Sequence, residues 1–230
     1  HNVYCLSVDV KVSAEFLRAT RRLANCLPNV FVSSRLENVV YAGMSRLMAD
    51  LHCFQDLLRH PVTWRYVINS PGQQFPLRTN LEIVKILKLL NGTNDILGVT
   101  GESRNPERYR TKWNYVANET SGDVRLVPTS VTHEPPPGDL DIVKCSAYGA
   151  FTRGFVEFVL ENKLAADLLN WSKVVYSPDE IYWGTLNYNV ASPAPGGFKG
   201  VPAKRKWLTS YSIWPWEHLP CQKFVHQVKK

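Results

Sequence analysis

The stretch VYCLSVDVKVSAEFLRATRRLANCLPNVFVSS, residues 3–34, decides the predicted fold because it reads as strand, helix and strand in turn. Residues 3–10 and 30–34 are short, apolar and rich in β-branched side chains, as buried strands are. Residues 13–26 between them carry a helical pattern of apolar positions. Strands that alternate with helices are typical of a parallel sheet. The stretch therefore predicts an α/β fold.

The same alternation continues downstream. Residues 38–58 form the clearest predicted helix, because their apolar side chains recur on one face at a spacing of about 3.6 residues. Residues 66–70 follow as a third strand, and a capping box from Thr79 to Glu82 opens another helix. The first third of the chain is thus consistent with one α/β unit.

The second half is less regular. Residues 92–140 are polar and show no clear periodicity, and so long a loop inside a compact domain is usually functional or disordered. The α/β pattern resumes with a strand at 146–151 and helices over roughly 153–173. We find no repeat and no boundary between domains, and we predict a single domain over residues 1–230.

The composition is that of an ordinary globular protein, with 44% hydrophobic and 20% charged residues. No apolar run approaches the roughly 18–20 residues that span a bilayer. The net charge of +7 is dispersed, without the dense basic stripe and interleaved aromatic residues of a nucleic-acid-binding protein. We therefore expect no nucleic-acid partner, and a small phosphorylated ligand fits the charge better.

The cysteines and glycosylation sequons bear on the compartment. The five cysteines form no CxxC pair, which argues against a zinc ribbon or a thioredoxin-like motif. Their odd, wide spacing is compatible with buried thiols and with long-range disulfides. Three N-x-S/T sequons, at Asn91, Asn118 and Asn170, favour a secretory compartment, where cysteines are oxidised.

Asp9 and the Asp139–Asp141 pair are candidates for ligand or metal binding. Asp9 ends the first predicted strand, at the sheet edge where α/β proteins bind ligands, although a helix cap for residues 13–26 is an equal alternative. No glycine-rich phosphate loop follows it, which excludes the P-loop and Rossmann fingerprints. Asp139 and Asp141 form an Asp-x-Asp motif, but its place beside a proline turn favours solvated acids. We predict no metal site.

The tetrad Ser177-Pro178-Asp179-Glu180 has two interpretations. Serine can cap a helix, proline suits its first position, and acids suit its positive end, with Glu180 completing a capping box. Alternatively, Glu180 stands at the mouth of a cleft as a proton acceptor. No nucleophile elbow G-x-S-x-G occurs, so a serine hydrolase is not indicated.

Taken in order, these segments resemble the β-1,6-N-acetylglucosaminyltransferase family of core 2 and I-branching enzymes. The resemblance implies a GT-A-like α/β fold with a mainly parallel central sheet flanked by helices. It also implies metal-independent, inverting transfer from UDP-N-acetylglucosamine, with no cofactor. The matching stretches cover most of the chain and lie at residues 3–9, 29–35, 40–42, 64–69, 75–80, 146–148 and 176–180.

The resemblance also implies roles for single residues. Glu180 matches the catalytic base, which takes the proton from a 6-hydroxyl of galactose or N-acetylgalactosamine in O-glycans or poly-N-acetyllactosamine. Asp9 and Tyr41 match donor-side positions, and Arg108 and Trp207 match acceptor-side positions. The partners it implies are thus a UDP-sugar and a glycan or glycoprotein acceptor.

The family pairs the positions of Cys5 and Cys53 in a disulfide. By the same comparison Cys26 pairs with a cysteine upstream of residue 1 and Cys221 with one beyond Lys230, while Cys145 is extra. The resemblance implies a type II membrane protein of the Golgi lumen, whose anchor, N-terminal strand and C-terminal end lie outside these residues. It is also compatible with a homodimer.

The chain departs from the family pattern in places that leave an alternative function open. Gln74 stands where the family has an acid. The basic side chains that neutralise the leaving diphosphate in the family lie toward the C-terminal end, where this chain diverges. The alternative is a catalytically inactive relative that binds glycans or nucleotide sugars, or serves as a partner protein.

Overall fold

The computed structural model describes residues 2–99, 105–120, 122–210 and 212. In chain order its helices are α1 (Ala14–Cys26), α2 (Met44–Arg59), α3 (Asn80–Leu90), α4 (Glu107–Arg110), α5 (Arg153–Glu161), α6 (Lys163–Trp171) and α7 (Tyr182–Tyr188). Its strands are β1 (Tyr4–Leu6), β2 (Val30–Val32), β3 (Tyr66–Ile68), β4 (Asp95–Ile96), β5 (Thr111–Ala117), β6 (Val124–Thr132) and β7 (Gly149–Thr152). No helix in this described part of the chain is long and apolar enough to cross a membrane.

The strands form three small sheets, and only one of them is parallel. β1 and β2 pair in parallel, with Tyr4 opposite Val30. β7 lies between β3 and β4 and runs antiparallel to both. A mixed α/β fold is therefore confirmed, but these pairings do not make a mainly parallel central sheet. The alternation of strands and helices in the sequence indicates that helices connect successive strands. It does not show which strands pair with each other in a sheet.

The segment predicted to be irregular, residues 92–140, contains an antiparallel hairpin. β5 and β6 pair over most of their length, with Tyr115 opposite Leu126. Leu126 is buried, whereas most other positions of β6 face solvent. The prediction of a structureless loop is therefore wrong. In β5, Trp113, Tyr115 and Ala117 fall at alternate positions, so the two-residue period of a strand is present in this segment although its polar surroundings obscure it.

Side chains next to two helix starts cap them, one at an unpredicted residue and one at the predicted capping box. Ser13 Oγ accepts a hydrogen bond from the Phe16 amide at 3.1 Å and caps α1. At α3, the Glu82 carboxylate accepts from the Thr79 amide at 2.8 Å, and the Thr79 hydroxyl accepts from the Glu82 amide at 3.3 Å. The predicted capping box is confirmed.

The long helix begins later than predicted. Ala42 has a left-handed backbone with φ of 57°, so the helix cannot extend back through it, and α2 starts at Met44. The Met44 amide donates at 2.8 Å to the hydroxyl of Tyr115, which comes from the hairpin and takes the place of a side-chain cap. A Cβ at Gly43 would lie 3.0 Å from that hydroxyl, so this close approach favours glycine.

An aromatic cluster forms the centre of the core. The rings of Phe54, Phe151 and Trp183 lie within 5.0–5.7 Å of one another, centroid to centroid, and come from α2, β7 and α7. All three are buried, with Phe151 and Trp183 at 0% exposure. These contacts join α2 to two elements that lie far along the chain from it, so α2, β7 and α7 pack as one body.

A disulfide ties the parallel sheet to the long helix. Cys5 in β1 bonds to Cys53 in α2, 48 residues along the chain, which is the pairing that the family resemblance implies. Cys26 is exposed and Cys145 is buried, and both carry free thiols in the structure. Cys221 lies outside the described residues.

We expect replacement of both Cys5 and Cys53 by serine to destabilise the fold. Opening a loop of 48 residues costs roughly 4 kcal/mol in the chain-entropy description. The free energy of unfolding in urea, measured for both forms, checks this value. Cys26→Ser is the matched control because that thiol is exposed and unpaired among the described residues. Equal midpoints for the double variant and the parent protein would contradict the prediction.

Candidate functional site

The tetrad forms a turn and does not cap a regular helix. Ser177 has a left-handed backbone, with φ of 51°, and Pro178–Glu180 form a single 3₁₀ turn. The Ser177 side chain makes no capping hydrogen bond, and α7 begins only at Tyr182. The helix-initiation interpretation of this tetrad is therefore wrong. A strained backbone held in a non-glycine residue is common at functional sites.

Three distant segments hold this turn by backbone hydrogen bonds. The Ser177 amide donates to the Ala42 carbonyl at 2.8 Å, so two left-handed residues meet. The Cys145 amide donates to the Glu180 carbonyl at 2.6 Å, and the Tyr176 amide donates to the Arg108 carbonyl at 2.9 Å. The position of Glu180 is thus set by the α2 entry, the α4 turn and the segment before β7.

Glu180 reaches the surface beside two basic side chains. Its side chain is 32% exposed, and its Oε2 is paired with the guanidinium of Arg108. Lys144 Nζ lies 3.8 Å from the same oxygen. A carboxylate that solvent can reach, held in place by basic side chains, has the geometry to accept a proton from a hydroxyl group.

Aromatic side chains surround Arg108 and bring Tyr41 to the same place. The Arg108 guanidinium lies 5.5 Å from the centre of the Tyr176 ring, and the Trp113 ring lies 4.6 Å from Tyr176. Burial raises the pKa of Tyr176, and the neighbouring Tyr41, which is 86% exposed, raises it further. The structure thus gathers Tyr41, Arg108 and Glu180 around Tyr176.

The other two predicted ligand-binding residues are not linked to Glu180 by any hydrogen bond or ion pair among the described residues. Asp9 Oδ1 accepts from the Lys11 amide at 2.9 Å, and Asp9 does not cap α1, so that alternative is wrong. Trp207 lies next to Leu208, whose amide donates to Asp95 in β4 at 2.9 Å. The Trp207 indole nitrogen is buried and has no partner within the described residues.

Behind the turn lies a buried group of charges that the sequence analysis did not identify. Asp179 is only 7% exposed. Burial raises the pKa of its carboxyl from 3.8 to about 6, against the opposing attraction of Arg46. Arg46 also pairs with Asp50 at 2.8 Å, and Asn69 donates to Asp50 at 2.8 Å. Only the i,i+4 spacing of Arg46 and Asp50 on a helix could have signalled part of this group.

The pKa directions within this group follow from desolvation and charge. Burial alone would lower the pKa of Arg46, but the carboxylates of Asp50 and Asp179 outweigh it and raise the pKa. Burial raises the pKa of Asp50 by more than Arg46 and Asn69 lower it. Arg46 therefore stays charged, and the two buried acids share one cation.

Cys145 has no nucleophilic role in this arrangement. Its side chain is buried, and burial raises the pKa of the thiol. The sulfur accepts a hydrogen bond from the Gly184 amide at 3.2 Å. A Cβ on Gly184 would lie 2.7 Å from Cys145 Cβ, so the two residues pack too closely for a larger side chain. Cys145 therefore acts in packing.

The remaining predicted sites lie on the surface. The sequon asparagines Asn91, Asn118 and Asn170 are all exposed. Asp139 and Asp141 are exposed as well, and the described residues contain no group of three His, Cys, Asp or Glu side chains able to hold a metal ion.

The family model that matches this chain and its relatives in sequence point to the same family. A sequence model of the family described as Core-2/I-Branching enzyme matches residues 1–226. The chain is 46% identical over 188 residues to a human N-acetyllactosaminide β-1,6-N-acetylglucosaminyl-transferase, which is 81% of this chain and 46% of that protein. A mouse protein of the same name is 43% identical over 216 residues, or 94% of this chain and 52% of its own length.

A second kind of relative acts on another acceptor. A rat β-1,3-galactosyl-O-glycosyl-glycoprotein β-1,6-N-acetylglucosaminyltransferase 3 is 43% identical over 198 residues, 85% of this chain and 43% of that protein. The chain thus spans about half the length of the curated relatives it matches.

We expect Asp179→Asn to stabilise the fold at neutral pH but not at acidic pH. The pKa of Asp179 is raised on folding, so its contribution to stability is greatest below pH 4 and is lost as the pH rises through about 6. The amide avoids this loss because it never ionises. The variant should gain about 1–3 kcal/mol over the parent between pH 4 and pH 7.

Urea unfolding of both forms at pH 4, 5, 6 and 7 measures this gain. Asp139→Asn is the matched control, because an exposed carboxylate pays no desolvation cost and its left-handed backbone also suits asparagine. A difference between Asp179→Asn and the parent that does not change with pH would show that the Asp179 carboxyl is not desolvated.

Proposed function

The chain belongs to the Core-2/I-branching enzyme family, and we propose that it contributes the acid–base part of an inverting β-1,6-N-acetylglucosaminyltransferase. The donor is UDP-N-acetylglucosamine, and the acceptor is a 6-hydroxyl of galactose or N-acetylgalactosamine in O-glycans or poly-N-acetyllactosamine. The observation that carries the proposal is the position of Glu180, which is held at the surface beside Arg108 and Lys144. The relatives' names describe the same transfer.

In this mechanism Glu180 acts as the general base. The acceptor 6-hydroxyl oxygen forms a bond to the anomeric carbon of the donor sugar while its proton passes to the Glu180 carboxylate. The bond between that carbon and the UDP phosphate oxygen breaks, and UDP leaves with the electron pair. Attack from the face opposite the leaving group inverts the anomeric centre.

The surrounding side chains position the reactants. Arg108 contacts Glu180 and stacks on Tyr176, so it can donate to an acceptor hydroxyl while it holds the base in place. Tyr41 is exposed beside the same ring and suits the donor side. We assign Asp9 to the donor side and Trp207 to the acceptor side. An aromatic face suits the C–H groups of a sugar, which is why Trp207 is assigned there.

We further propose that transfer needs no metal ion, and that the charge of the leaving diphosphate is neutralised by basic side chains. The whole enzyme would adopt a GT-A-like fold. The parallel β1–β2 pair and the helices around it are compatible with part of such a fold.

We propose the Golgi lumen as the compartment, with a membrane anchor of type II topology in the full-length protein. The Cys5–Cys53 disulfide and three exposed sequon asparagines support an oxidising, glycosylating compartment. The names of the relatives, which act on glycans and glycoproteins, support the same assignment.

A second candidate function is a catalytically inactive relative that binds glycans or nucleotide sugars. One observation favours it: Gln74 stands where the family has an acid, and its side chain donates to Ser210 Oγ at 2.8 Å. An amide in this position ties two segments together and cannot supply a carboxylate to a ligand. Retention of an accessible Glu180 favours the enzyme.

We expect Glu180→Gln to lower kcat by ~10²–10⁴-fold, the usual contribution of general base catalysis, because an amide cannot take up the acceptor proton. The affinity for UDP should stay near that of the parent. Transfer of radiolabelled N-acetylglucosamine to galactose-terminated acceptors measures kcat, and calorimetry with UDP measures the affinity.

Glu157→Gln is the matched control, since Glu157 also pairs with an arginine, Arg153, at 2.8 Å but lies on the exposed side of α5. Turnover by the Glu180 variant equal to that of the parent would remove Glu180 from the mechanism. A parent protein that binds UDP or glycan but transfers no label would support the inactive relative instead.

Transfer should also survive treatment with EDTA, because the proposed mechanism places no metal under the diphosphate. The measurement compares initial rates before and after chelation and after addition of manganese. Loss of activity that manganese restores would contradict the proposal and direct attention to Asp139 and Asp141.

A further inference from the structure

A cleft of about 380 Å³, separate from the Glu180 site, lies between α6 and the segment that follows β6. One wall is a single face of α6, where Asp167, Asn170 and Trp171 follow at helical i, i+3 and i+4 spacing. Glu180, Arg108 and Lys144 do not line it. The remaining lining residues are Lys112, His133, Glu134, Pro135, Pro137 and Val174.

The floor of this cleft is a fixed aromatic platform. The Trp171 ring stacks on the ring of His133, with centroids 4.3 Å apart and planes at 15°. The Trp171 indole nitrogen donates to the Glu134 carbonyl at 2.9 Å, and His133 is buried beneath it. Both contacts prevent the indole from turning away, so it presents a constant surface.

Polar and apolar groups around the platform match the chemistry of a sugar. Lys112 Nζ and Glu134 Oε1 pair at 2.6 Å, and Asp167, which pairs with Lys163 at 2.6 Å, also lines the cleft. Pro135 and Val174 supply apolar surface. An aromatic face flanked by a few hydrogen-bonding groups is how small polar ligands with apolar C–H faces are oriented. The volume is at the low end for ligand sites, which fits one sugar ring.

Asn170, the first residue of the third sequon, lines this cleft. Its side chain is exposed, whereas the hydroxyl of Ser172 in the same sequon is fully buried and donates to the Leu168 carbonyl at 2.8 Å. The sequon is therefore accessible to modification only before α6 has folded. After folding, only the Asn170 amide faces outward, and it faces the cleft.

We propose that this cleft binds the first N-acetylglucosamine of an N-glycan attached to Asn170. The host's transfer reaction forms the bond between the anomeric carbon and Asn170 Nδ2, which loses one proton, and the lipid diphosphate of the donor leaves. Because the attached sugar has a high effective concentration at the cleft, weak contacts are enough for it to bind there. Asn91 and Asn118 do not line this cleft. The proposal is independent of the transferase function.

The test uses the chain secreted with high-mannose glycans, in a variant with Asn91→Gln and Asn118→Gln, so that Asn170 is the only sequon. Endoglycosidase H leaves one N-acetylglucosamine, and Asn170→Gln carries none. We expect the trimmed protein to keep the Tm of the fully glycosylated protein and the Asn170→Gln variant to lose ~2–4 °C.

Hydrogen–deuterium exchange locates the effect. With one sugar attached, protection should rise in residues 133–137 and 167–174 and stay unchanged in α1. If the double variant is secreted poorly, the same trimmed and Asn170→Gln proteins are compared with Asn91 and Asn118 left intact. Peptide mass spectrometry that finds Asn170 unoccupied would overturn the proposal. Equal Tm and equal exchange for the trimmed and sugar-free proteins would overturn it as well.

Discussion

The buried guanidinium of Arg46 is the constraint on which the candidate site depends. It lies in α2, pairs with the carboxylate of Asp50 at 2.8 Å and attracts the buried carboxyl of Asp179. Loss of Arg46 would leave both acids without their cation, and an uncompensated buried charge usually costs about 3–5 kcal/mol. The turn that carries Asp179 is held against α2 by the backbone hydrogen bond from Ser177 to Ala42, while Arg46 offsets part of the cost of burying the Asp179 carboxyl.

The same turn explains why the adjacent acids Asp179 and Glu180 differ so much in their exposure to solvent. A 3₁₀ turn rotates by about 120° per residue, so Asp179 and Glu180 point in different directions. Asp179 faces the core, where burial raises the pKa of its carboxyl, and Glu180 faces Arg108 and Lys144 at the surface. One acid is thus packed inside the fold, and the other is accessible to solvent.

The β5–β6 hairpin supports the same site from the other side. Trp113 packs on Tyr176, which stacks beneath Arg108, and Tyr115 accepts the hydrogen bond from the start of α2. The hairpin thus fixes both the cation that pairs with Glu180 and the helix that carries Arg46. A segment predicted to be irregular thus positions the side chains around Glu180.

The sequence by itself determined the elements whose causes are local. The α1 cap at Ser13, the capping box at Thr79 and the buried face of α2 follow from neighbouring residues, and the family followed from ordered motifs that end at Glu180. The Cys5–Cys53 pairing came through that resemblance and not from spacing.

Only the tertiary structure decided that β7 runs antiparallel between β3 and β4, that residues 111–132 form a hairpin, and that Asp179 shares Arg46 with Asp50. Strand partners, desolvation and charge pairing are properties of residues far apart in the chain. Their energies depend on distance and burial in space, which no local pattern of side chains contains.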